Sequence, residues 1–163
     1  MATTQLGDNT VHTVGELPAV GTSAPDFTLT GTDMSDVTKT SGKRTVLNIF
    51  PSIGTGVCQA SVRKFNELAA GLDNTEVINV SQDLPFAMAQ FCGAEGIENA
   101  LVGSAFRSGF GTDYGVTMSD GGWRGLLARA VVVLDENGSV LHSQLTPAIG
   151  VEPDYDAAVA VLS

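Results

Sequence analysis

The run Thr45-Val46-Leu47-Asn48-Ile49-Phe50-Pro51-Ser52-Ile53-Gly54-Thr55-Gly56-Val57-Cys58 passes from a compact apolar segment, through proline and glycine, into a helical pattern. Thr45–Phe50 has the density of apolar side chains expected of a strand buried on both faces. Pro51 stops it, because proline donates no backbone hydrogen bond. Ser52–Gly56 reads as loop. From about Val57, the residues Cys58, Val62, Phe65, Leu68, Ala69 and Leu72 recur at three- and four-residue steps, which predicts a helix. A strand, a tight loop and a helix entrance carrying a cysteine are therefore adjacent in the chain.

Outward from this unit, Asp73-Asn74 ends the helix and Glu76–Val80 is the next strand. Asp83 is placed to cap a second helix with Pro85 in its first turn. Leu84, Met88, Phe91 and Cys92 share a face of it, and Gly93 and Gly96 mark its end. The glycine-rich residues 100–124, with Trp123 beside Gly121-Gly122, read as connections and short elements. Arg129–Leu134 and Ser139–Gln144 are strands joined by the turn Asp135-Glu136-Asn137-Gly138. Pro153–Leu162 closes as a helix with Ala157, Val161 and Leu162 inward. Upstream, Asp26–Leu29 is a strand, Asp36–Thr40 a weaker one, and Gly42-Lys43 a turn. Thr10–Val14 and Ala19–Gly21 are read as a short hairpin.

This order predicts an α/β fold of thioredoxin-like outline: a mixed central β-sheet flanked by helices. Residues 1–163 read as one domain, with 1–20 as an N-terminal extension. A net charge of −10 argues against nucleic acid and against anionic membrane surfaces. No apolar run reaches the roughly 18–20 residues of a membrane helix, and the polar N-terminus lacks a secretory pattern. The expected compartment is the cytoplasm, where two cysteines are buried apolar residues or catalytic thiols rather than a disulfide scaffold.

The chemistry concentrates at Cys58. A cysteine ordinarily ionises near about pH 8.5, and a helix N-terminus or a nearby arginine favours its thiolate. Thr55 lies one helical turn before Cys58, where its hydroxyl can accept from a thiol or donate to a peroxide oxygen. Pro51 can wall the pocket. Spacing alone also allows Thr55 to be a helix cap and Cys58 and Cys92 to be packed core thiols. Arg129, opening its strand, reads by itself as a surface salt-bridge residue. His12 and His142 have no metal-type spacing with the cysteines and read as strand surface residues.

Pro51-x-x-x-Thr55-x-x-Cys58 resembles the peroxiredoxin active-site signature. Val46–Ile53, Thr55–Cys58, Ser61–Asn66, Asp83–Ala87, Phe91–Gly96, Ala128–Val133 and Glu152–Tyr155 are similar to the thiol peroxidase subfamily in particular. The resemblance runs from about Ser23 to near the end. It implies a thioredoxin-like core with an added N-terminal β-hairpin. It implies Cys58 as the peroxidatic cysteine, Cys92 as the resolving cysteine, and Thr55, Arg129 and Pro51 completing the peroxide site. It further implies hydroperoxide substrates, an intramolecular Cys58–Cys92 disulfide and no bound cofactor. Electrons would come from thioredoxin, with thioredoxin reductase and NADPH upstream, and the chain would form a homodimer. One departure stands out: Gly54 occupies a position that is often acidic in similar proteins, which bears on loop rigidity and local charge. The sequence also admits two other readings. A disulfide reductant or isomerase is disfavoured by the absence of a CxxC pair; a binding protein with inert thiols is the other.

Overall fold

The computed structural model describes residues 1–162. Its elements in chain order are β1 (Thr3–Leu6), β2 (Asn9–His12), β3 (Leu29–Thr30), β4 (Asp36–Val37), β5 (Arg44–Ile49), α1 (Gly56–Ala69) and β6 (Thr75–Ser81). These are followed by α2 (Pro85–Glu95), β7 (Leu101–Ser104), α3 (Phe110–Asp113), β8 (Ala130–Leu134), β9 (Val140–Leu145) and α4 (Tyr155–Ala160). Seven strands form one mixed sheet in the order β4-β3-β7-β6-β5-β8-β9. β5, β6 and β7 run parallel, connected through α1 and α2; β8 and β9 continue the sheet antiparallel.

Side chains alternate across a strand, and both faces of the central strands are covered. Leu47, Ile49, Ile78, Val80 and Val132 face the aromatic group of Phe27, Phe110 and Tyr114. Val46, Val77, Val131 and Val133 face Phe65 of α1 and Ala158 of α4. This two-sided burial is why Ala130–Leu134 reads as an unbroken apolar run and why Thr45–Phe50 is apolar except for the buried Thr45 and Asn48. A third cluster joins α1 to α2: Cys58 and Val62 pack with Phe50, Ile53, Met88 and Val102, and Phe91 and Cys92 lie against them.

The mixed sheet flanked by helices is as expected, but several boundaries differ. The N-terminal hairpin exists, yet it pairs β1 with β2 around the two-residue turn Gly7-Asp8. Gly7 supplies the positive φ of 61° that such a turn demands. Ala19–Gly21 is not its second arm; Gly21 instead donates to the Val140 carbonyl and Val140 to the Thr22 carbonyl, so this segment edges onto β9. Asp26–Thr28 is not strand. The Pro25 carbonyl accepts from the Tyr114 hydroxyl at 2.7 Å and Phe27 turns into the aromatic cluster. β7 lies within the stretch expected to be mostly connections. It is short, and its Gly103 lets Leu29 pack directly on the backbone, where a Cβ would stand 2.7 Å from Leu29 Cδ1. The last helix is shorter than the expected Pro153–Leu162, running Tyr155–Ala160; Ala158 is buried in it and Ala157 half-buried, and beyond its end Val161 is exposed and Leu162 buried. The cap is Asp154, which accepts from the Ala157 N–H and so fixes the helix phase.

Asp83 does not cap α2. Leu84 holds that position with no side-chain cap bond, and Pro85 is in the first turn. The carboxylate of Asp83 is engaged elsewhere, on the loop that leads to Cys58.

Candidate active site

β5 ends at Ile49, and the buried Pro51 begins the loop into α1. Thr55 is the N-cap residue of α1, with extended backbone and no side-chain cap bond. Its hydroxyl donates to the Ser52 carbonyl at 3.3 Å instead. Thr55 thus occupies the cap position expected from spacing, but its side chain makes no capping bond. Cys58 is the third residue of α1, in the turn whose backbone N–H groups have no intrahelical partner. Its side chain is fully buried.

Arg129 precedes β8. The antiparallel register pairs Ile49 with Ala130, so Arg129 falls beside the end of β5, where the Pro51 loop departs. Its guanidinium is 1% exposed, not on the surface as its strand-end position suggests. Nη2 donates to Cys58 Sγ at 3.2 Å and Nε donates to the Ile149 carbonyl at 2.8 Å. Nη1 is buried and has no hydrogen-bond partner. Burying a cationic donor unpaired costs on the order of 1–3 kcal/mol or more, so an orphan at this point marks a place for an acceptor.

A cavity of about 230 Å³ lies here, lined by Thr55, Val57 and Arg129 together with Leu6, Trp123 and Ile149. Thr55, Arg129 and the first turn of the helix carrying Cys58 therefore border one opening. Leu6, Trp123 and Ile149 escaped the sequence reading. Nothing local marks them, because they reach the site from the N-terminal hairpin, a glycine-rich loop and the segment after β9.

Cys92 lies in the last turns of α2. It is half-buried, and that burial pushes its thiol above the ordinary value. It borders a second cavity of about 390 Å³ with Asp33, Val37, Ile97 and Leu101. Both cysteines are free thiols and belong to the same apolar cluster. Gly54 is exposed, and a Cβ there would meet only Ser52 Oγ at 3.4 Å, so a side chain is sterically admissible. Among the described residues no group of three or more His, Cys, Asp or Glu could hold a metal ion. His12 pairs with Asp120 at 2.7 Å on the surface. His142, expected on the surface, is half-buried with Nε2 unpartnered, and burial lowers its pKa.

The family model described as Redoxin matches residues 19–159. A thiol peroxidase of Corynebacterium glutamicum is 53% identical over 100% of both chains. The chain belongs to the redoxin family, among its thiol peroxidases. A thiol peroxidase of Mycobacterium tuberculosis is 54% identical over 99% of both chains. Among solved structures, a peroxiredoxin-like protein from Aquifex aeolicus superposes with a TM-score of 0.93 at 38% identity, covering 98% of this chain and 95% of that one. A thiol peroxidase from Chromobacterium violaceum shares the fold at a TM-score of 0.90 and 21% identity. No helix among the described residues is long and apolar enough to cross a membrane.

Proposed function

We propose that this peroxidase reduces alkyl hydroperoxides and hydrogen peroxide with Cys58 as the attacking thiolate and Cys92 as the resolving thiol. The observation that carries the reading is the Arg129 guanidinium. It donates to Cys58 Sγ and leaves Nη1 without a partner at the site where Thr55 also faces the cavity.

The chemistry follows from these positions. Cys58 thiolate attacks one peroxide oxygen in line with the O–O bond. That bond breaks, the distal oxygen leaves as alkoxide or hydroxide and takes a proton, and Cys58 becomes a sulfenic acid. Negative charge moves from sulfur to the leaving oxygen, so fixed donors along that path lower the barrier. A guanidinium keeps its charge throughout and holds sulfur and peroxide together. Thr55 shifts its hydroxyl bond from Ser52 to the peroxide, and Pro51 keeps water from behind the sulfur. The sulfenic acid then condenses with the Cys92 thiol, giving the Cys58–Cys92 disulfide and water before further oxidation intervenes. A bridge needs Cα atoms within roughly 7 Å and specific sulfur geometry; with Cys58 fully buried and Cys92 packed against the same apolar cluster, local opening of one or both helix ends precedes this step. A thioredoxin dithiol reduces the disulfide, with reductase and NADPH upstream. The apolar Leu6, Trp123 and Ile149 suit organic peroxides. A homodimer in the cytoplasm completes the reading.

Stopped-flow thiol loss with cumene hydroperoxide and with hydrogen peroxide tests it. Cys58→Ser abolishes the reaction. Cys92→Ser permits one turnover but no disulfide and no thioredoxin-driven cycling. Sustained cycling by Cys92→Ser, or peroxide consumption by Cys58→Ser, defeats the respective role.

A further inference from the structure

Asp83 joins the two cysteine-bearing segments. Its Oδ1 accepts from Ser52 Oγ at 2.9 Å, and Oδ2 accepts from the Ile53 N–H at 2.6 Å and from Ser81 Oγ at 2.5 Å. Both Ser52 and Ile53 belong to the loop that enters α1. The backbone of Asp83 is anchored as well: its N–H donates to Ser81 Oγ at 3.1 Å, and its carbonyl accepts from Ser104 Oγ of β7. The residue is thus fixed to the sheet on one side and grips the loop on the other, immediately before α2.

The grip passes on toward the sulfur. Ser52 Oγ accepts from the Gly54 N–H, and the Ser52 carbonyl accepts from both the N–H and the hydroxyl of Thr55. Beneath the loop, Ile53 packs in the cluster that holds Cys58, Met88 and Cys92. The helices α1 and α2 themselves are joined by an ion pair, Arg63 with Glu95 at 3.1 Å. It is exposed, and exposed pairs hold little.

We propose that Asp83 is a positioning residue that latches the Cys58 loop to the start of the Cys92 helix, and so sets how readily the site opens for disulfide formation. The proposal rests on the roles of Cys58 and Cys92 given above. With the latch closed, the loop keeps Thr55 in place while the Cys58 thiolate attacks the peroxide. With it released, the loop loses its tie to the sheet-held start of α2, and the sulfenic acid can reach Cys92. The alternative fate of the sulfenic acid is a second peroxide molecule, which converts it to sulfinic acid and releases alcohol or water. Latch strength therefore sets the partition between the two.

Asp83→Asn is nearly isosteric. It replaces one oxygen that receives donors by an NH₂ that repels them. Rapid-mixing fluorescence of the lone Trp123, which lines the cavity, with mass spectrometry of quenched samples, separates sulfenic acid formation from disulfide formation. The ratio of the disulfide rate to the peroxide rate should rise roughly tenfold, as expected for losing a charge-assisted hydrogen bond. The peroxide concentration giving half-maximal sulfinic acid should rise with it. Ser52→Ala, which removes one arm of the latch and no charge, should move both readouts in the same direction by a smaller factor, and decides the matter alone if Asp83→Asn does not fold. A general loss of stability lowers Tm without moving that ratio. An unchanged or lower ratio in the folded variants overturns the latch. A parent protein that forms no Cys58–Cys92 disulfide overturns the catalytic reading and the latch with it.

Discussion

Arg129 is the residue whose setting departs furthest from its sequence appearance. A cation 1% exposed is retained only where it is paired, and here it spans Cys58 Sγ and the Ile149 carbonyl. In the role proposed for it, its value is chemical rather than structural, because burying a charge gains little stability over an apolar side chain of similar size. Arg129→Met should therefore slow peroxide-driven thiol loss by about 10²–10³-fold, while Tm in calorimetry shifts by no more than about 4 °C. A rate loss accompanied by a collapse in Tm would mean instead that the guanidinium chiefly holds the pocket together.

At the scale of elements, β3 and β7 show how a short strand is made specific. Gly103 pairs through β7 with β6 and lies under Leu29 of β3. Any side chain at 103 must displace Leu29, whose Cβ would be 2.9 Å from the new methyl. Gly103→Ala should cost about 1–3 kcal/mol as overpacking, read as a lower urea midpoint at unchanged slope. α1 and α2 meet through a different logic. Met88 is fully buried between the two cysteine-bearing helices. Met88→Ala should cost about 2–5 kcal/mol, with proteolysis appearing first near α2.

Across the whole molecule, the N-terminal hairpin is a buttress of the site. Gln5 accepts from the Ile149 N–H, and the Ile149 carbonyl in turn accepts from Arg129. Thr4 Oγ1 donates to the Thr146 carbonyl, while Thr146 donates to the Arg129 carbonyl. Alkaline stability is also a property of the entire fold. Burial raises the Cys92 thiol and the Tyr114 and Tyr155 phenols above their ordinary values. Each is then neutral in the folded chain at pH values where the unfolded chain has begun to ionise. Their contribution is complete below the unfolded value and is lost as pH rises toward the folded one. The unfolding free energy of the reduced protein should therefore decline above about pH 8.5, the cysteine range. Urea titrations across pH check this, and Cys92→Ser should flatten the first part of the decline while leaving the phenol part.

The sequence by itself determined the central strands, both long helices, the β8–β9 turn and the placement of Cys58 at a helix entrance. Each depends on periodicity, turn chemistry or a chain-breaking residue within a few positions. The resemblance, rather than any local pattern, singled out Arg129 and Cys92. Only the tertiary structure decided that Arg129 is buried, because the Ile49–Ala130 register carries it across seventy-one residues to Cys58. It likewise took Asp83 from the helix-capping role its position suggested and gave its carboxylate to Ser52 and Ile53. It also brought Leu6, Trp123 and Ile149 to one cavity. The physical reason is common to all three. Backbone preferences act over one or two turns of chain, whereas the partner of a buried polar group is fixed by strand pairing between segments far apart in sequence.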